Sequence, residues 1–331
     1  MTFKYNNVYL NDTSTVVGPH EKKGPFSSYY DRKFNDFYFN ANSFEKAEIN
    51  SSIMSIDILL GKIKKTRFDI DMHIGGDLLN QIVASNFAAN SFKIPFMGIY
   101  SACATSVEGL IIASNMIEKK QINNAICTVS SHNMGAEKQF RYPTEYGAPK
   151  PKTTTFTTTG AAAAYLSSNK KGIKIEASKI GIVNDKGIKD VFNMGAVMAP
   201  AAADTIYKFL KDMNRDISYY DLVLTGDLGL YGKEILKEYM KTEYNIILEK
   251  YNDTASMVFD KNDKEVLAGG SGPLCTPLVT YTYIFDEMKK GNLKKVLLVA
   301  TGSLHNPSVV LQKESIPSIA HLISLEAIWY I

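Results

Sequence analysis

The segment Gly98-Ile99-Tyr100-Ser101-Ala102-Cys103-Ala104-Thr105-Ser106 sets one cysteine among small neighbours, where an apolar run gives way to a helical pattern. Small residues permit the sharp strand-to-helix turn that lifts a side chain above a sheet, as in nucleophile elbows. A thiol there meets the free N–H groups and positive dipole end of the helix. Those groups favour thiolate and equally accept an external anion. A small cysteine packed at a tight turn has the same local sequence. The string therefore admits a nucleophile, an anion site or a structural thiol.

Other chemistry is sparse. The histidines are His20, His73, His132, His305 and His321, and no His or Cys pair has metal-ligand spacing, so no metal site is expected. The glycine-rich runs lack Gly-x-Gly-x-x-Gly or a Gly-Lys-Ser ending, which leaves nucleotide binding without support. Cys103, Cys127 and Cys275 are widely spaced and odd in number, which points to a reducing compartment. A net charge of +3 on 331 residues, with no basic stripe, argues against a nucleic-acid partner. Met1 to Leu10 lacks the apolar core of a signal peptide, and no run approaches the ~20 apolar residues of a membrane span. The expectation is a chain made in the cytoplasm that reaches a membrane only through partners.

The elements that must position Cys103 alternate between strand and helix, which makes the class α/β. The pattern predicts a helix from Phe44 to about Lys64, capped by Asn42, and a strand from Phe68 to Ile74. It predicts a second strand from Phe96 to Tyr100, a helix from Cys103 to Glu118, and a third strand from Ala125 to Ser130. His132 to Thr158 then reads as a long loop, of a length that is usually functional or mobile. Beyond it come a helix starting at Pro200 as its first residue, a strand from Asp221 to Thr225, a helix from Thr276 to Lys289, and a strand from Lys295 to Thr301.

The two halves repeat. Ile74-Gly75-Gly76-Asp77-Leu78 matches Leu224-Thr225-Gly226-Asp227-Leu228, and each is followed by a turn, a helix ending in Lys-Lys and a strand. This spacing is too long for a solenoid. It fits two packed βα halves, residues 1–170 and 171–331. The helix starts after Ser101-Ala102-Cys103 and after Ser271-Gly272 would then face one cavity, where carboxylates meet free N–H donors. Asp77 and Asp227 end equivalent strands, where an aspartate can cap the following helix. His132 and His305 follow equivalent strands and can approach the same cavity.

Duplicated halves with Ser-Ala-Cys-Ala-Thr-Ser at the elbow resemble the thiolase superfamily, and most closely its initiating 3-oxoacyl-carrier-protein synthases. Longer strings are similar to a sporulation family of endospore-forming bacteria built on that fold. They are Gly75-Gly76-Asp77-Leu78-Leu79-Asn80-Gln81, Ser130-Ser131-His132-Asn133, Phe140-Arg141-Tyr142-Pro143-Thr144-Glu145-Tyr146-Gly147, Met198 to Thr205, Ala268 to Gly272, and Gln312 to His321. The resemblance implies a layered α-β-α-β-α architecture of two pseudo-symmetric halves and a homodimer. It implies binding of dipicolinic acid (pyridine-2,6-dicarboxylate), with calcium as a possible companion of the ligand. It also implies delivery into the forespore beside membrane proteins of the same operon.

The expected ligand set is Cys103 with Ser271 and Gly272 at the helix starts, Asp77 and Asp227 at the strand ends, and Ser130 and His132 after the third strand. Carried over from the synthases, Cys103 matches the nucleophile. Leu224-Thr225-Gly226-Asp227 stands where their histidine would be, and Gly269-Gly270 where their asparagine would be. A catalytic role is therefore not expected. The competing readings are an acyltransferase in which His132 or His305 assists Cys103, and an architectural subunit with a vestigial pocket.

Overall fold

The computed structural model describes residues 1–140, 149–260 and 262–328. The string Arg141 to Gly147 lies outside them. Ten strands carry the architecture, in two sets of five. The first set is β1 (Tyr9–Val17), β2 (Met72–Gly76), β3 (Phe96–Gly98), β4 (Asn124–Ser131) and β5 (Gly160–Ser167). The second is β6 (Ile173–Lys179), β7 (Leu222–Thr225), β8 (Tyr251–Asp253), β9 (Lys295–Ser303) and β10 (Ser318–Ala327).

The spatial order is β3-β2-β4-β5-β1 in the first set and β8-β7-β9-β10-β6 in the second. This is one topology used twice. In each set the first three neighbours run parallel and the next two pairings are antiparallel. The sets join edge to edge where Tyr9 pairs Lys174 and Leu10 pairs Ile173. Two short strands, Thr2–Lys4 and Arg32–Lys33, flank β6 and β1.

Helices fill three layers. On the outside of the first set lie α1 (Phe44–Ile63) and α2 (Val83–Phe92). Against the second lie α4 (Met194–Met213) and α5 (Gly229–Tyr244). Between the sheets run α3 (Thr105–Glu118) and α6, a continuous helix made of Cys275–Val279, the π-helical Thr280–Ile284 and Phe285–Lys289. The result is α-β-α-β-α. The middle layer is apolar nearly all round. Val107, Leu110, Ile111, Leu278, Val279 and Phe285 are buried in one cluster with strands of both sets. Burial of each such side chain is worth about 1.5–3 kcal/mol, so the layer that carries Cys103 is also among the most firmly held.

Several sequence expectations are corrected. Ser43, not Asn42, caps α1, with its side chain accepting from Lys46 N. Residues 67–69 form a 3-10 turn and Phe68 is exposed, so β2 begins only at Met72. Pro200 lies inside α4, which starts at Met194 under an Asn193 cap. The cap captures an N–H that would otherwise lie unpaired, and this outweighs the preference of proline for a first turn. The segment after β4 is more than a loop. It contains a helix, Asn133–Phe140, and a two-residue strand, Phe156–Thr157, parallel to Gly270–Ser271.

Candidate functional site

The elbow is built from the chain outward. Ala102 takes φ 50°, a left-handed conformation that costs a residue with a Cβ about 1 kcal/mol or more. Thr105 holds the turn in place: its Oγ1 accepts from Ser101 N at 2.9 Å and donates to Ala102 O at 2.7 Å. Cys103 is thereby set just ahead of α3, buried against the second half. That half comes close because Gly302, near the end of β9, has no side chain. A Cβ there would lie 2.2 Å from Ser101 O. The facing turn depends on Gly272, whose φ is 101° and whose Cβ would stand 2.8 Å from Ser131 Oγ.

Between them lies a narrow cavity of about 40 Å³. Cys103, Ser271 and Gly272 line it together with Thr157, Ser303 and Glu137. Its neck is formed by Leu78, Tyr100, Phe140 and His305, which also line an outer groove of about 420 Å³. The rings of Phe140 and His305 lie 4.9 Å apart at 58°. The Glu137 carboxylate pairs with Lys150 at 3.0 Å. Ser303 Oγ, buried at the end of β9, has no hydrogen-bond partner among the described residues.

Asp227 sits directly behind Cys103, also at a positive φ of 60°. The Cys103 and Cys275 thiols and the Gly272 N–H lie against its carboxyl. Burial, with neighbouring Asp253 adding to it, pushes the Asp227 carboxyl well above the usual carboxylate range. Burial likewise pushes the Cys103 thiol well above its ordinary value, and Asp227 adds to this when ionised. Both effects favour the thiol over the thiolate and oppose activation by the helix start.

The remaining expected residues are placed elsewhere. Asp77 follows β2 as Asp227 follows β7, but its carboxyl is taken up locally by Leu79 N at 2.9 Å, Ser85 N at 2.8 Å and Ser85 Oγ at 2.7 Å. It organises the entry to α2 and is not on the cavity wall. Ser130 Oγ donates to the buried Glu48 carboxyl at 2.9 Å, under α1. His132 Nε2 meets Phe37 O at 2.7 Å, and its ring packs among Phe37, Phe39 and Phe44. Burial holds the His132 pKa below its ordinary value, so it is a neutral ring turned away from Cys103. Of the two histidines considered as partners of the thiol, only His305 lines the cavity.

Ser303, Glu137 and Phe140 were missed. The repeat was the available signal for Ser303: with Ile74 matched to Leu224, the strand registers set Ser303 at the position of His132, itself an expected site residue. Nothing local marked Glu137 or Phe140, which sit on a helix where the sequence suggested a loop. Among the described residues, no group of three His, Cys, Asp or Glu side chains is placed to hold a metal ion, and no helix is long and apolar enough to cross a membrane.

Two five-stranded sets of one topology, a shared helical middle layer and an elbow cysteine at their junction define a thiolase-fold protein. Solved structures agree on the fold. OleA of Xanthomonas campestris superposes with a TM-score of 0.62 at 12% identity, covering 97% of this chain and 99% of that one. The 3-oxoacyl-(acyl carrier protein) synthase III FabH of Xanthomonas oryzae pv. oryzae gives 0.60 at 11% identity, covering 97% and 100%. The chain belongs to the stage V sporulation protein AD family, whose model matches residues 1–326. It is 42% identical over 319 residues to the stage V sporulation protein AD of Bacillus subtilis (strain 168), covering 96% of this chain and 94% of that one.

Proposed function

We propose that this sporulation protein binds dipicolinate in the cavity above Cys103 and does not transfer acyl groups. The observation that carries the reading is the composition of the slot. Tyr100, Phe140 and His305 offer flat walls to a planar ring at the neck, and the unpartnered Ser303 hydroxyl offers a donor to a carboxylate at the floor. Ligand sites characteristically combine such apolar walls with a few convergent polar groups. The ligand would span the cavity and the groove outside it. The acyltransferase alternative needs a base beside the thiol; the residue behind Cys103 is a carboxyl that raises the thiol's pKa. The other candidate base, His305, shares the cavity wall but packs its ring against Phe140, and loss of a general base typically costs about 10² to 10⁴ in rate.

Calcium enters the reading through a residue other than the expected aspartates. Asp77 and Asp227 are off the wall, whereas Glu137 is on it and supplies the hard oxygen that a calcium chelate would meet. Calorimetric titration with dipicolinate, with and without calcium, is expected to show one site per chain. Incubation with acyl-CoA should leave Cys103 unmodified. Multiple-turnover acyl transfer that disappears in Cys103→Ala would reverse the assignment.

In the same reading the chain acts at the forespore inner membrane beside integral proteins of its operon, and pairs as a homodimer. The outer side of edge strand β3 carries exposed Met97, with exposed Phe87 on neighbouring α2, and suits a second copy. An unpaired edge with apolar neighbours is a template for strand addition. Sedimentation should show a dimer that Met97→Lys weakens; a parent chain that sediments as a monomer at all concentrations would remove this part.

A further inference from the structure

Asp227 is only 1% exposed, and among the described residues neither of its oxygens has a partner at full hydrogen-bond geometry. Nearby buried carboxyls are provided for. Asp253 accepts from Thr225 Oγ1 at 2.7 Å and Gly229 N at 2.9 Å, and Asp77 has its three donors. Asp227 is faced by Cys103 from the start of α3, Cys275 from the start of α6, the Gly272 N–H from the turn, and the like-charged Asp253 from the end of β8. A bare carboxylate so enclosed is strongly disfavoured, and a buried acid answers by keeping its proton.

We propose that Asp227 is a positioning residue whose proton decides whether the cavity accepts an anion. The inference rests on the anion-binding reading above. When ionised, Asp227 draws the Cys103 S–H onto itself and leaves a negative charge directly behind the sulfur. When neutral, it donates its own O–H to a sulfur. The Cys103 S–H then turns toward the cavity, beside the unpartnered Ser303 hydroxyl. Rising pH moves the Asp227 proton to solvent. An anion that binds above that point brings one proton back from solvent to the carboxyl. Burial raises the Asp227 pKa, which is the direction this scheme requires.

The test is calorimetry on the full chain with dipicolinate as the probe, from about pH 6 to about pH 10, in buffers of different ionisation enthalpy. Carboxyls of the free ligand are ionised throughout that range. Affinity is expected to stay level and then fall about tenfold per pH unit, with one proton taken up per ligand on the falling limb. Asp227→Asn, which cannot ionise, should abolish both the fall and the uptake. Should that variant not fold, Cys275→Ala removes a donor to the ionised form and should move the break to higher pH. Infrared spectra of the parent without ligand should contain a protonated-carboxyl band at neutral pH that vanishes above the break. A missing band, or a parent affinity independent of pH, overturns the inference while leaving the anion site in place. A parent chain that binds no dipicolinate at any pH overturns the anion reading and this use of the proton with it.

Discussion

Replacing Cys103 by tryptophan is expected to abolish dipicolinate binding, with a loss of more than about a hundredfold, roughly 2.7 kcal/mol or greater. The cavity over the thiol holds about 40 Å³, room for only a few water molecules. An indole there fills it and presses on Ser271, Gly272 and Ser303 of the facing half. Overpacking of this kind also costs about 1–3 kcal/mol of stability, so thermal unfolding must show that the variant is folded before its affinity is read. Cys103→Ala leaves the space and removes one contact, so a loss of about tenfold or less is expected. The order of the two variants matters more than either value, because a reactive thiol would make alanine as damaging as tryptophan. Undiminished binding by a folded Cys103→Trp chain would place the ligand elsewhere.

Gly302→Ala is expected to destabilise the protein by about 3 kcal/mol or more, at the severe end for single substitutions. The added methyl would begin 2.2 Å from Ser101 O, a backbone atom in a turn already held by Thr105 and strained at Ala102. Backbone on both sides leaves no side chain to give way, so the halves must part or the elbow must unwind. Either outcome also displaces Cys103 and Ser303, and ligand affinity should fall together with stability. Gly61→Ala is the contrasting case, because an added Cβ in that helical position of α1 meets nothing within 4 Å. It should raise stability by roughly 0.5–1 kcal/mol. Urea unfolding measures both. A cost below about 1 kcal/mol for Gly302→Ala would show that the junction is loose and would undercut the cavity geometry.

Much of this architecture is written locally. Apolar runs ending in glycine followed by aspartate, each with a helical segment after it, occur in both halves, and the strands fall in the same order in both. The elbow is legible for the same reason: Ser101, Ala102 and Ala104 are small wherever they end up, and only a sharp turn uses three such neighbours well. Helix starts proved less legible, because Asn193 and Ser43 act through single hydrogen bonds that several nearby residues were equally able to make.

Tertiary structure decided which polar groups face the cavity. Asp77 and Asp227 occupy matching places in the repeat, yet the first finds its donors within eight residues. The second meets its neighbours only when α3 and α6 pack side by side. His132 followed the expected strand, but its ring bonds to Phe37, 95 residues earlier in the chain, and so points into an aromatic cluster. Ser303, Glu137 and Phe140 reach the cavity from β9 and from the Asn133–Phe140 helix, whose packing nothing in their own neighbourhood specifies. Period and turn chemistry act over a few residues and are visible in sequence. The direction of a buried side chain is set by whichever distant surface excludes water from it, and that exists only once the halves have closed.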